Sequence, residues 1–170
     1  MSDNATPFGH GVNQRDRIRM TPEEIDAFLA GTHTMSCATL NHDGTIHLVA
    51  MWYGFVEGCV GLETKAKSQK VANLRRNPQI TCLVEAGASY DELIGVEIVG
   101  TAEIIEEPER MLELGISVFE RHNGVVYTPE MRPAVEQMLH KRVVVRIVPQ
   151  RYVSWDHRKL GLAPMRRHVD

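Results

Sequence analysis

Apolar and polar residues alternate along much of this chain in short runs, which is the period of half-buried β-strands. Such runs cover residues 35–40, 45–56, 59–64, 80–85, 93–106 and 142–155, the last interrupted at Pro149. Asp43-Gly44 and Glu57-Gly58 supply tight turns between the first three runs, because glycine adopts the positive φ that hairpin turns need. The front half is therefore predicted to form a three-stranded antiparallel meander.

Four further segments have the capping residues or the apolar spacing of helices. They cover residues 22–30, 69–76, 108–122 and 129–140. Thr21 and Glu24 form a capping box at the first, and Ser68 is the predicted N-cap of the second. Gly100 predicts a bend or bulge within residues 93–106. About six strands without βαβ alternation favour a closed antiparallel barrel over a doubly wound sheet.

The size and composition of the chain narrow its class. With 170 residues, 43% of them hydrophobic and 24% charged, it is predicted to contain one globular domain. We assign residues 20–160 to that domain, residues 1–19 to a flexible leader and residues 161–170 to a tail. No apolar run approaches the roughly 20 residues that span a bilayer, and the first residues lack a signal-peptide core. A membrane span is therefore not expected.

Cysteine and histidine usage argues against a metal centre. The three cysteines lie in strand-like runs without Cys-x-x-Cys spacing, and the eight histidines form no His-Glu-x-x-His motif. Free thiols, no metal site and a reducing compartment are expected, so the predicted location is the cytoplasm.

Positive charge is concentrated in one segment although the net charge is −3. Residues 64–76 carry five basic side chains and no acidic one. The segment spans the predicted strand-to-helix junction, where free amides and the helix dipole favour an anion. It lacks interleaved aromatic residues, which argues against nucleic acid. A phosphate site is predicted here, with a solvated basic surface as the alternative; its ligands would be Thr64, Lys65, Lys67, Ser68 and Lys70.

The order of these elements resembles the split-barrel superfamily of pyridoxamine 5′-phosphate oxidase-like proteins. The resemblance rests on a strand, then Thr64, then Ser68-Gln69-Lys70, then residues 73–78 and a further strand. It covers about residues 20–160, and residues 70–78 more closely resemble the deazaflavin-dependent oxidoreductases of the B branch. The resemblance implies an antiparallel split β-barrel of the FMN-binding type, mostly β with flanking helices. It also implies a homodimer with two cofactor sites at the subunit interface.

The same resemblance implies positions for the cofactor. The five phosphate ligands would hold its phosphate, and no catalytic residue is implied. The backbone of Val49, Ala50 and Met51 would line its ring system. Tyr90 or Trp155, from one subunit or the other, would pack near the ring, although Trp155 could equally be an amphipathic residue at a strand end.

The choice of cofactor follows from where the basic residues stand. Pyridoxamine oxidases proper carry a basic pair on the strand that matches residues 45–55, where this chain has only His47 between apolar residues. Three lysines near the helix start suit a longer anionic tail, such as that of coenzyme F-420. We therefore expect an oxidoreductase that uses reduced F-420 to transfer hydride to a small organic substrate. The alternatives are an FMN-dependent oxidase or reductase, and a non-catalytic module that binds flavin or haem.

Overall fold

One antiparallel sheet dominates the structure, a computed structural model that describes residues 14–164. Its strands are β1 (Met35–Leu40), β2 (Ile46–Met51), β3 (Gly54–Val56), β4 (Cys59–Lys65), β5 (Gln79–Ala86), β6 (Ile94–Ile105) and β7 (Arg142–Asp156). The helices in this part of the chain are α1 (Gln14–Ile18), α2 (Pro22–Ala30), α3 (Gln69–Arg76), α4 (Pro108–Asn123) and α5 (Arg132–Leu139), with 3-10 turns at Pro129–Met131 and His157–Leu160. The predicted class, mostly β with flanking helices, is confirmed.

The order of the strands shows that the predicted meander was wrong. The sheet runs β2-β1-β5-β6-β7-β4-β3, so β2 and β3 lie at opposite edges and do not pair. Trp52 and Tyr53 separate them, within the run that the sequence pattern joined as residues 45–56. Alternation reports which residues are half-buried but not which strands pair, and long-range pairing decided the order. The two hairpins, β1–β2 and β3–β4, are confirmed.

A bulge in the longest strand pair confirms the prediction made from Gly100. The register of β6 against β7 shifts between Val99 and Gly100, opposite Pro149. A Cβ at Gly100 would lie 2.3 Å from the carbonyl oxygen of Val148, so only glycine fits without a shift of the backbone. Because the bulge accommodates the proline, β7 continues as one strand of 15 residues.

The curled sheet encloses one main core. Met35 and Cys37 of β1 share this core with Val60 and Leu62 of β4, although three strands separate β1 from β4 in the sheet. The split barrel therefore brings β1 and β4 together across its interior. Helix α4 covers the outer face, where its buried Leu114 packs into a second cluster.

Arg121 of α4 fastens α2 to the barrel. Its guanidinium donates to the carbonyl oxygens of Leu29, Ala30 and Gly31 at 3.1, 2.9 and 2.6 Å. It also lies 4.7 Å from the centre of the Tyr53 ring. Helix α2 has no basic residue in its own last turn, so Arg121 supplies the positive charge that its C-terminal carbonyls favour.

The ends of the predicted domain are described in part. Residues 14–18 of the predicted leader form α1, which contacts β7 and the last 3-10 turn. Residues 1–13 and 165–170, which include most of the predicted leader and tail, lie outside the described residues. The predicted capping box of α2 is confirmed, with Thr21 and Glu24 bonded in both directions. None of the helices within residues 14–164 combines the length and apolar character needed to cross a bilayer.

Candidate functional site

The predicted phosphate segment, residues 64–76, spans the junction between β4 and α3. Ser68 is the N-cap of α3, as predicted, but its side chain makes no capping hydrogen bond. The first bond of the helix runs from the N–H of Ala72 to the carbonyl oxygen of Ser68 at 3.1 Å. The three preceding amides of α3 therefore have no acceptor within the helix. Together with the helix dipole they favour a bound anion.

Lys70 points inward from the first turn of α3 and is only 8% exposed. Its ammonium donates to Oγ1 of Thr64 at 3.1 Å. The Thr64 hydroxyl in turn donates to Oγ of Ser68 at 3.3 Å. The structure thus joins three of the five predicted phosphate ligands in one chain of polar contacts.

The charge of Lys70 has no opposite charge beside it. Among residues 14–164, no carboxylate lies within 4.0 Å of its ammonium. An ammonium carries three donors, and the Thr64 hydroxyl accepts one of them. Buried charges are normally paired because their desolvation is costly. Burial lowers the pKa of Lys70 here, and the Cys37 thiol, the one group that opposes this shift, is not a carboxylate. A bound anion would supply the missing partner.

Lys65 and Lys67, the other two predicted lysines, are exposed. Lys65 pairs with Arg142 in the β4–β7 ladder, and the N–H of Ala66 donates to the carbonyl oxygen of Lys141 at 3.1 Å. The side chains of Lys65 and Arg142 therefore share the face of β4 that carries Glu63, opposite to the face of Thr64. Only the strand pairing brings Arg142 to this segment, which is why sequence reasoning did not single it out.

Asn73 fixes the orientation of α3. It is fully buried, and its Nδ2 donates to Oγ1 of Thr39 at 3.1 Å and to Oδ1 of Asn41 at 2.9 Å. Its Oδ1 accepts a hydrogen bond from the Gln69 amide at 2.9 Å. These contacts tie the helix to β1 and its hairpin, so the free amides at the start of α3 are held in one direction.

The predicted ring-lining residues lie on β2, close to the inner end of the same site. Val49 pairs with Cys37 of β1. A hydrogen bond from a neighbouring thiol lowers the pKa of Cys37, and the charge of Lys70 lowers it further, so Lys70 lies close to this strand pair. The side chains of Val49 and Met51 pack against the core, whereas Ala50 is exposed. Among the described strands, β2 pairs with β1 alone and lies at an edge of the sheet, where one row of its backbone groups has no strand partner.

Tyr90 and Trp155 contact other parts of the sheet than the phosphate ligands do. The ring of Tyr90 lies 4.4 Å from that of His157. Trp155 pairs with Gly95 of β6. Within one protomer these two aromatic residues are therefore not brought together with the phosphate ligands.

Glu63 is a buried carboxyl that sequence reasoning did not single out. It neighbours Thr64 on β4 but projects to the opposite face, is 8% exposed, and has no hydrogen-bond partner for its Oε2 within the described residues. Burial raises its pKa, and the charge of Arg142 opposes that rise. Sequence reasoning missed Glu63 because a glutamate within an alternating run is normally taken to face solvent. In the described part of the chain, no group of three or more potential ligands is placed to hold a metal ion.

Most of the chain matches one known protein family. A profile of the family described as "Pyridoxamine 5'-phosphate oxidase" matches residues 21–156. A separate search of curated proteins found no match.

Three solved structures illustrate the range of similar proteins. A conserved hypothetical protein from Mycobacterium tuberculosis is 51% identical, with 93% of this chain and 98% of that chain covered and a TM-score of 0.88. An F-420 reductase is 23% identical, with 78% and 98% covered and a TM-score of 0.58. The haem storage protein HutZ from Vibrio cholerae is 18% identical, with 81% and 96% covered and a TM-score of 0.61. The last two share the fold with this chain.

Proposed function

Because the chain belongs to the pyridoxamine 5′-phosphate oxidase family, whose split barrel binds flavins, we propose that it is an oxidoreductase that uses reduced coenzyme F-420. In this proposal it transfers hydride to a small organic substrate. One observation carries the proposal: Lys70 is buried with a neutral hydroxyl, and with no carboxylate of residues 14–164, against its ammonium. Such a charge is costly to bury unless an anion offsets it.

The residues at the site fit the anionic part of the coenzyme. Lys70, Thr64 and Ser68, with the free amides of α3, would hold its phosphate. The exposed Lys65 and Lys67 would meet the carboxylates of its oligoglutamate tail, which FMN lacks. The buried Lys70 is therefore expected to contact the phosphate of either cofactor. The exposed Lys65 and Lys67 are expected to contact F-420 only.

Assembly as a homodimer is part of the proposal. The outer face of β2 and the segment after it expose large apolar side chains: Ile46 and Leu48 are each 63% exposed and Trp52 is 57% exposed. An edge strand with an apolar face of this kind is expected to be covered in solution. Tyr90 and Trp155 would then pack near the ring of a cofactor held by the partner, since neither contacts the phosphate ligands of its own protomer.

The chain's own part in the reaction is to bind and to orient. The bound deazaflavin would supply the hydride to a conjugated substrate. Lys70, Thr64, Ser68 and the free amides of α3, together called the phosphate socket, would fix the anionic end. The backbone of Val49, Ala50 and Met51 would line the ring. The apolar side chains of Val49 and Met51 limit water on the inner side of β2. No residue is assigned a catalytic role.

Anaerobic titration with F-420 and with FMN tests the proposal. A Lys65→Ala/Lys67→Ala variant should weaken F-420 binding and leave FMN binding unchanged, while a Lys67→Ala/Lys70→Ala variant should abolish both. Arg75→Ala is the matched control, because Arg75 ends the same helix in an exposed pair with Glu106.

Three results would contradict parts of the proposal. Micromolar FMN affinity without F-420 binding would replace the cofactor by FMN. Full affinity in the Lys67→Ala/Lys70→Ala variant would remove the socket altogether. Tight binding without turnover of any quinone, enone or tetrapyrrole offered would make the protein a binding module and not an enzyme.

A further inference from the structure

A cavity of about 680 Å³ lies between α1 and the second half of β7. Its volume is within the range of small-molecule sites. The residues that give it chemical character are Arg15, Arg19, Arg151, Tyr152, Trp155 and His157. None of them belongs to the phosphate socket at α3.

The strand order explains why space is left there. β7 pairs with β4 only as far as Arg146, whereas it pairs with β6 to its end at Asp156. Beyond Arg146 the second edge of β7 has no strand beside it in the described part of the chain, and α1 lies there instead. The N–H of Met20 donates to Oγ of Ser154 at 3.1 Å, which holds the segment after α1 against the strand.

The lining of this cavity is cationic. Arg15 of α1 and Arg19, which follows the helix directly, both line it, while Arg17 does not. Among the lining residues that the structure describes, none is acidic. Arg19 reaches Asp16 at 3.9 Å in an exposed pair, which contributes little. Within residues 14–164, no carboxylate lies at ion-pair distance from Arg151.

A second cavity, of about 460 Å³, shows the contrast. Its lining includes Glu24 and Asp156, which already pair with Lys159 and Arg158. Of these two cavities, the one beside α1 has the lining that favours an anion.

One wall of the cationic cavity is the indole of Trp155, which is held in place. The indole of Trp155 lies against Gly95, where a Cβ would come within 2.4 Å of its Cζ2. Tyr152 also lines the cavity but projects from the opposite face of β7, because it lies three residues before Trp155 in an unbroken register. Flat aromatic walls favour flat ligands, because stacking adds to apolar burial.

We propose that this cavity binds the substrate and that the substrate is a planar organic anion. Its conjugated part would pack against Trp155, and its carboxylate would meet Arg19 and Arg151, the latter on the same face of β7 as Trp155. The inference rests on the proposed function, in which Trp155 approaches the cofactor ring of the partner. It adds the class of substrate, which neither the fold nor the family supplies.

Isothermal titration with trans-cinnamate and with its neutral isostere trans-cinnamamide tests this assignment. The two probes differ in charge and hardly in shape. The wild type should bind the carboxylate about tenfold more tightly, the scale of one hydrogen bond to a charged group. An Arg19→Ala/Arg151→Ala variant should lose that preference. Arg17→Ala, which replaces an arginine outside the lining, should keep it.

The phosphate socket provides the separating control. The Lys67→Ala/Lys70→Ala variant should keep the preference for cinnamate whatever its effect on F-420, so failure of the cofactor proposal leaves this result readable. Equal affinity for the two probes in the wild type would overturn the inference without the use of any variant. Loss of the preference in the socket variant, with retention in the Arg19→Ala/Arg151→Ala variant, would place the probe in the socket and overturn it as well.

Discussion

Replacement of Lys70 by methionine is expected to stabilise the free protein while it weakens binding of phosphate-bearing cofactors. Methionine has a similar length and flexibility but no charge, so it can fill the space beneath α3. The two opposite effects have one cause, which is the burial of an ammonium without an anionic partner.

The size of each effect follows from the contacts of Lys70. Removal of a buried charge that has one neutral hydrogen bond should raise the free energy of unfolding by about 1–3 kcal/mol. Loss of a hydrogen bond to a charged group costs about 1.5–3 kcal/mol of binding free energy. At 1.4 kcal/mol per factor of ten, the dissociation constant for F-420 or FMN should rise roughly 10- to 150-fold.

Two measurements on the same preparation check both effects. Urea unfolding of the cofactor-free protein gives the change in stability, and anaerobic titration gives the change in affinity. Lys65→Met is the matched control, since Lys65 is exposed and its replacement should alter stability by less than about 0.5 kcal/mol.

One combination of results would refute the reasoning. If Lys70→Met destabilises the free protein and leaves the affinity for both cofactors unchanged, Lys70 is a structural residue satisfied by Thr64. The anion socket would then have no experimental basis.

The remaining predictions concern groups that hold the site in place. Glu63→Gln should flatten the pH dependence of stability. Burial raises the pKa of Glu63 in the folded state, so above the ordinary pKa of glutamate the folded carboxyl still holds its proton while the unfolded one has lost it. The free energy of unfolding of the wild type therefore falls as pH rises, and glutamine removes this contribution. Urea unfolding from pH 4 to 8 checks this, and an unchanged slope would contradict it. Arg121→Ala should cost about 2–4 kcal/mol, because three carbonyl oxygens at the end of α2 lose a charged donor and two of them keep only the Tyr53 hydroxyl. Thermal unfolding measures this, with a loss below about 0.5 kcal/mol as the contrary result. Asn73→Ala should cost about 1–3 kcal/mol and weaken cofactor binding, since it leaves Thr39 without its partner and frees α3 to tilt; wild-type affinity in a folded variant would show that the direction of α3 does not matter.

The sequence by itself determined much of the local structure. The capping box at Thr21, the hairpins at Gly44 and Gly58, and the bulge at Gly100 were all predicted correctly, because each depends on the backbone conformation of a few adjacent residues. The same holds for Ser68 as the residue that begins α3. Strand-to-helix junctions of this kind are visible in sequence since capping and charge patterns are local.

Tertiary structure alone decided what those elements enclose. The separation of β2 from β3 depends on which strands pair across the chain, and alternation carries no information about partners. The burial of Lys70 and of Glu63 also depends on packing from distant segments, because neighbouring positions on β4 face opposite sides of the sheet. The cationic cavity needs α1 beside the unpaired edge of β7, and residues from two ends of the chain meet there. Charge in a sequence is a local property, but its environment is set by every segment that the fold brings around it.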